Sequence, residues 1–108
     1  MYSEKETVAN LKSLQFFIAN KLRALDSPER SAAEKIVLLV EEVGEVARSI
    51  RLQEGLHSRK SAPLNTDHLG DELVDVLNYL LDIANHYEID MDEAFRRKWN
   101  EVDKRFRV

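Results

Sequence analysis

Residues 36–50 read IVLLVEEVGEVARSI, and this stretch decides the fold of the chain. Its apolar residues recur at steps of four and three: Ile36, Val40, Val43, Ala47 and Ile50. This spacing is typical of an apolar seam along one face of an α-helix that packs in a bundle. We therefore predict a helix that begins at Ser27 or Ser31, ends at about residue 53, and carries acids beside its seam.

Two clusters of carboxylates accompany predicted helices. The first comprises Glu41, Glu42 and Glu45, and the second comprises Glu72 and Asp75. Side chains three or four residues apart share a helix face, so the members of each cluster can direct oxygens to one point. At an effective dielectric constant near 20, two such charges about 4 Å apart repel by roughly 4 kcal/mol. A hard dication that prefers oxygen ligands, Mg²⁺ or Mn²⁺, removes this repulsion.

The alternative for each cluster is an ordinary solvated surface, since 33% of the residues are charged. Two matching clusters, each beside an apolar stripe, favour a metal site.

Composition indicates one helical domain over residues 1–108, with a flexible polar connector at about 55–65. The chain is 44% hydrophobic, with three Gly and two Pro, which leaves few residues for turns. Without Cys it has no disulfide, thiolate nucleophile or Cys-based zinc site. No apolar run is long enough to span a membrane or resembles a signal peptide, so we expect a cytoplasmic protein with no membrane partner.

Three further helices are predicted from apolar periodicity and capping signals. The first covers about 4–25 with Phe16 and Phe17 in the core, and the third follows a cap at Thr66 or Asp67. The last begins at Asp90.

Charge is distributed unevenly along the chain. The net charge of −4 argues against nonspecific nucleic-acid binding, although residues 96–108 contain six Lys and Arg against two acids. Lys98 and Arg105, seven residues apart, share a helix face and can reach one anion, unless that face is simply solvated. Asn78 and Tyr79 follow Asp75 and can contact a sugar or a base, although a structural Tyr is an equal alternative.

The chain contains no Gly-rich phosphate loop and no Ser, His and Asp pattern for covalent catalysis. We assign its three histidines, His57, His68 and His86, to surface or capping positions. Water activated by a metal ion is then the simplest nucleophile.

The two acidic clusters together resemble the hallmark of the MazG-type all-α nucleotide pyrophosphohydrolases. That hallmark is two Glu, two spacers and a Glu, followed after a variable gap by a Glu, two spacers and an Asp. Flanking residues also match, and the similarity covers about 35–106. The chain departs from the family at Val102, where many relatives have Asn, and at Glu88, where Gly is common.

The resemblance implies a four-helix bundle completed by homo-oligomerisation, as a homodimer or homotetramer. It implies hydrolysis of a (deoxy)nucleoside triphosphate to the monophosphate and pyrophosphate in nucleotide-pool housekeeping. Glu42, Glu45, Glu72 and Asp75 would bind Mg²⁺, with Mn²⁺ able to substitute. Glu41 would be a further ligand or would deprotonate the attacking water. Lys98 and Arg105 resemble basic positions that hold the outer phosphates.

Two alternatives accompany this interpretation. Phosphoribosyl-ATP pyrophosphohydrolase shares the fold and similar acids, but usually has a Tyr-His pair where this chain has Asn78 and Tyr79. The other is a non-catalytic, metal-stabilised helical oligomer.

Overall fold

A computed structural model describes residues 10–55, 63 and 65–106 of the 108-residue chain. They form four helices: α1 (Leu11–Ala24), α2 (Ala32–Glu54), α3 (Thr66–His86) and α4 (Met91–Phe106). The described part of the chain contains no strand, which confirms the predicted all-α class. None of the described helices is long and apolar enough to cross a membrane. Residues 4–9 of the predicted first helix and most of the predicted connector lie outside the described residues.

Polar side chains fix where the helices begin. α2 starts with a reciprocal capping box, in which Glu34 N donates to Ser31 Oγ and Ser31 N donates to Glu34 Oε1, both at 3.2 Å. The Ser31 alternative is therefore correct. Asn65, rather than Thr66 or Asp67, caps α3 by accepting a hydrogen bond from His68 N at 3.0 Å.

α1 begins later than predicted. Asn10 has an extended backbone and its side chain accepts a hydrogen bond from Ser13 N, so Asn10 is the cap and the helix starts at Leu11. The apolar periodicity upstream of residue 10 did not indicate this boundary. The boundary is set by the Asn10 side chain, which accepts a hydrogen bond from one of the first free N–H groups of the helix.

Two helices end in a left-handed residue that is not glycine. Glu88 has a φ of 54° after α3, and Asp26 has a φ of 51° after α1. At the end of α3, Ile89 N donates to Ala84 O at 2.9 Å and Glu88 N donates to Asn85 O at 3.1 Å. This is the hydrogen-bond pattern of a Schellman cap, which favours Gly at the left-handed position. The departure at Glu88 thus places a Cβ where the backbone prefers none.

The described residues divide into two compact units, with the boundary inside α3. One unit contains the described residues up to Pro28 and those from Ala84 onward, and the other contains Glu29–Ile83.

A buried glutamine organises the unit formed by α1, the end of α3 and α4. Gln15 is 6% exposed; its Nε2 donates to Ile89 O at 2.7 Å and its Oε1 accepts from Met91 N at 3.0 Å. Asp92 of α4 in turn accepts hydrogen bonds from the first backbone N–H groups of α1, at Leu11 and Lys12. Side chains from one helix therefore satisfy backbone groups at the start of another.

Two side-chain contacts set the register of the second unit. Lys35, near the beginning of α2, lies 3.3 Å from Asp82, near the end of α3. Ser49, late in α2, donates a hydrogen bond to Glu72, early in α3. The two helices are therefore antiparallel, and the stretch of α2 between Lys35 and Ser49 lies alongside the stretch of α3 between Glu72 and Asp82.

The apolar seam of α2 is exposed in the single chain. Four of its residues retain between 40% and 62% of their accessible surface: Ile36, Val40, Val43 and Ile50. No residue of α2 is fully buried, and Leu81 of α3 is the largest completely buried side chain in the described part. An exposed apolar seam with this periodicity is typical of a helix face that packs against another helix.

Candidate metal and nucleotide site

The antiparallel register of α2 and α3 brings the two acidic clusters together. Glu42 and Glu45 lie between Lys35 and Ser49 on α2, and the stretch of α3 opposite them contains Glu72 and Asp75. Each pair is three residues apart, so its members share a helix face. The spacing within each helix does not show which part of α2 lies opposite which part of α3. The Lys35–Asp82 and Ser49–Glu72 contacts supply that register.

The five acids differ in exposure. Glu72 is buried, with 7% of its surface accessible, and Glu42 is half-buried. Glu41, Glu45 and Asp75 are exposed. The cluster therefore has a sheltered part on both helices and an open part, an arrangement that lets a charged ligand approach from solvent.

Electrostatic coupling within the cluster centres on Glu42. The pKa of Glu42 lies above its ordinary value because of desolvation first, and then because of the negative charges of Asp75, Glu45, Glu41 and Glu72. All four charges belong to the predicted acidic set, and two of them come from the opposite helix. The like charges therefore interact across α2 and α3.

Glu72 is held by two neighbours at the same carboxylate oxygen. Ser49 Oγ donates a hydrogen bond to Glu72 Oε1, and His68 Nε2 lies 3.6 Å from that atom. His68 is one helical turn before Glu72, and its side chain is 65% exposed. The buried acid is thus oriented by a hydroxyl from the other helix, and an imidazole from its own helix lies nearby.

The donor set fits a hard dication, although it does not form a ready-made metal site. Within the described residues, no three side chains among His, Cys, Asp and Glu stand together closely enough to hold an ion. Repulsion between the carboxylates opposes such convergence. The chemistry of the set, carboxylate oxygens alone, matches the preference of Mg²⁺.

The structure distributes the other predicted binding residues between the two units. Asn78 is exposed and Tyr79 is half-buried, and both follow Asp75 by one turn of α3. Lys98 and Arg105 are exposed on α4, which belongs to the other unit.

Sequence reasoning missed three residues that contact acids in this unit: Ser49, His68 and Lys35. His68 is four residues before Glu72 on the same helix, and this spacing was the available signal for their contact. The contacts of Ser49 and Lys35 join two helices, and no spacing within one helix predicts them. The assignment of His68 to a surface or capping position was therefore incomplete. Asp82, the partner of Lys35, leaves only 18% of its side chain exposed.

The chain is all-α and carries carboxylates on two antiparallel helices, α2 and α3. It therefore belongs to the class of helical proteins that have a candidate metal site made of carboxylate oxygens. A family model described as the MazG nucleotide pyrophosphohydrolase domain matches residues 30–106, which include both acidic clusters. The chain belongs to the MazG nucleotide pyrophosphohydrolase family, whose members are hydrolases that act on acid anhydrides. A sequence search against curated proteins found no match.

Proposed function

We propose that the protein hydrolyses a (deoxy)nucleoside triphosphate to the nucleoside monophosphate and pyrophosphate, with Mg²⁺ as its metal. Water adds to phosphorus, the anhydride bond between the α- and β-phosphates breaks, and pyrophosphate leaves. Nucleotide-pool housekeeping is the role we assign to this reaction. Membership in a family of pyrophosphohydrolases supports the reaction class.

The observation that carries the proposal is the antiparallel register of α2 and α3, which sets Glu42 and Glu45 opposite the stretch that contains Glu72 and Asp75. A single acidic cluster on one helix is an ordinary surface feature. Carboxylates on two facing helices repel one another, and a bound cation would remove that repulsion. The raised pKa of Glu42, which is caused first by desolvation and then by the charges of Asp75, Glu45, Glu41 and Glu72, supports the proposal. Such an arrangement favours a function that requires a bound dication.

Four of the five acids have the role of metal ligands in this proposal. Glu42 and Glu45 from α2, and Glu72 and Asp75 from α3, would hold Mg²⁺. When bound, Mg²⁺ would neutralise charge on the phosphate oxygens and lower the pKa of a coordinated water. The acids themselves orient the cation, and the partial burial of Glu42 and Glu72 restricts water around it.

Glu41 is assigned to the attacking water. It is exposed and lies beside Glu42 on α2, where it can accept a proton without belonging to the sheltered part of the cluster. Asn78 and Tyr79 are assigned to the nucleoside, because they follow Asp75 by one turn. Lys98 and Arg105 are assigned to the outer phosphates on the basis of their charge, exposure and shared face on α4.

A homo-oligomer, dimer or tetramer, completes the proposal. The exposed seam of α2 has the spacing of a bundle interface, and a second copy offers the same apolar seam in return. Gly44 lies within this segment, and a Cβ built on it would meet nothing within 4 Å in the described single chain. The absent side chain leaves room for another helix to approach α2.

Product analysis tests the reaction. The protein is incubated with Mg²⁺ and a panel of canonical, deoxy and modified triphosphates together with phosphoribosyl-ATP, and pyrophosphate is scored against orthophosphate. The proposal predicts pyrophosphate from at least one nucleoside triphosphate. Orthophosphate as the primary product contradicts the assigned cleavage point, and turnover of phosphoribosyl-ATP alone identifies the alternative enzyme. Metal-induced stabilisation without any turnover identifies the non-catalytic oligomer.

A further inference from the structure

Ser49 occupies a position that the acidic motif does not include. It lies four residues after Glu45 on α2, and its hydroxyl donates to Oε1 of Glu72 across the two helices. Ser49 is half-buried and Glu72 is 7% exposed, so water has limited access to this hydrogen bond. The contact joins α2, the helix of the first acidic cluster, to the buried acid of the second cluster.

The geometry distinguishes the two oxygens of Glu72. The contacts with Ser49 and His68 both fall on Oε1. A Glu side chain rotates about three torsions, and a hydrogen bond that fixes one oxygen in a buried setting also fixes the direction of the other. The carboxylate is therefore oriented before any ligand arrives.

We propose that Ser49 is a positioning residue for the metal site: its hydroxyl holds Oε1 of Glu72, which leaves Oε2 as the oxygen that would hold Mg²⁺. The inference rests on the proposed function, because it assumes that Glu72 is a ligand. Ser49 touches neither the ion nor the substrate and acts through Glu72 alone. Hydrogen-bonding partners of metal ligands commonly change metal affinity by about 10- to 100-fold when they are removed.

A purely structural role for Ser49 makes a different prediction. If the hydrogen bond only ties α2 to α3, its loss lowers the melting temperature and leaves metal affinity unchanged. If the hydroxyl competes with the ion for Glu72, its loss tightens metal binding. Metal affinity, measured without substrate, therefore separates positioning from both of these roles.

The test measures Mn²⁺ binding to the full chain by the loss of the electron paramagnetic resonance signal of free Mn²⁺. Ser49→Ala removes the hydroxyl and suits a helix. Ser49→Thr and Ser49→Val have the same shape as each other and differ in the hydroxyl, so they make the comparison independent of packing. We expect Ser49→Ala and Ser49→Val to bind Mn²⁺ about 10-fold more weakly or worse, and Ser49→Thr to bind more tightly than Ser49→Val.

Two controls make the outcomes distinct. Ser13→Ala removes another helix hydroxyl, one that donates to Asn10 Oδ1 at 2.8 Å, and should leave Mn²⁺ affinity unchanged. Glu72→Gln should abolish specific binding. If Glu72→Gln loses Mn²⁺ while Ser49→Ala and Ser49→Val bind like the parent or more tightly, the positioning role is wrong and the proposed site stands. If Glu72→Gln binds like the parent, the proposed site itself is wrong.

Discussion

Lys35 Nζ lies 3.3 Å from Asp82 Oδ1, and this ion pair joins the beginning of α2 to the end of α3. The two side chains are only 12% and 18% exposed, so the charges are largely withdrawn from water. Removing one partner of such a pair leaves the other charge poorly solvated. The pair is consequently a determinant of the register that aligns the acidic clusters.

Lys35→Met should destabilise the protein by about 1–3 kcal/mol, because it removes the ammonium group from a sheltered carboxylate. Lys12→Met is the matched control: Lys12 pairs with Asp90 at 3.6 Å, but its side chain is 72% exposed. The control should lose much less stability. Urea unfolding of both variants measures the difference, and equal losses would show that the Lys35 pair has no special role.

Glu88→Gly should stabilise the protein by about 1 kcal/mol, since Glu88 has a φ of 54° in a cap that favours glycine. The gain is reduced by the greater freedom of glycine in the unfolded chain. Asp26→Gly, at a φ of 51°, should gain less because Asp tolerates this region better than Glu. Thermal unfolding of both variants is the measurement. A lower melting temperature for Glu88→Gly would mean that the Glu88 side chain makes a compensating contribution.

Asp90 should make stability depend on pH in the acid range. Its pKa lies below the ordinary value of 3.8, chiefly because Glu93 N donates a hydrogen bond to it, and also because of the Lys12 charge, against an opposing effect of desolvation. Between the lowered pKa and 3.8, the unfolded chain binds more protons than the folded one. The contribution of this carboxylate is thus complete above 3.8 and is lost as the pH falls through the folded pKa.

Asp90→Asn retains a capping side chain and removes the charge. The parent should be more stable than this variant at pH 7, and the difference should disappear as the pH falls below 3.8. Urea unfolding across that range measures it. A difference that stays constant with pH would exclude the charge of Asp90 as its cause.

Val40→Lys should convert the proposed oligomer to a smaller species. Val40 is 62% exposed in the single chain and lies in the middle of the α2 seam, where a second copy would bury it. Burial of an unpaired ammonium opposes association. Leu25→Lys is the control, because Leu25 is 74% exposed and follows α1, so it is not part of the α2 seam. Light scattering measures the mass, and a parent that is monomeric, or a Val40→Lys variant that keeps the parent's mass, contradicts the interface.

The sequence was sufficient to predict the helices, because their apolar periodicity and caps are local. Ser31 with Glu34, and Asp90 at the start of α4, accept the expected hydrogen bonds. The exposure of individual side chains was harder to predict, since it depends on residues that are distant along the chain. Phe16, expected in the core, is 71% exposed.

The candidate site was predictable only as two separate halves. Spacing within each helix identified Glu42 with Glu45 and Glu72 with Asp75. The contacts that align the halves, made by Lys35 and Ser49, join residues 47 and 23 positions apart, and no pattern in one helix specifies them. The reaction was predicted from the resemblance to a family, because helix periodicity carries no information about chemistry.

The central claim is that acids on α2 and α3 form one magnesium site that performs hydrolysis. The most direct measurement compares Glu42→Gln, Glu72→Gln and the control Asp71→Asn, an exposed α3 acid outside the set. For each, Mg²⁺-dependent pyrophosphate release and the Mg²⁺-induced rise in melting temperature are recorded together. The account predicts that both Gln variants remain folded, lose the Mg²⁺-induced rise and fall by at least about 100-fold in kcat/KM, whereas Asp71→Asn behaves like the parent. Parent-like turnover in either Gln variant would contradict it.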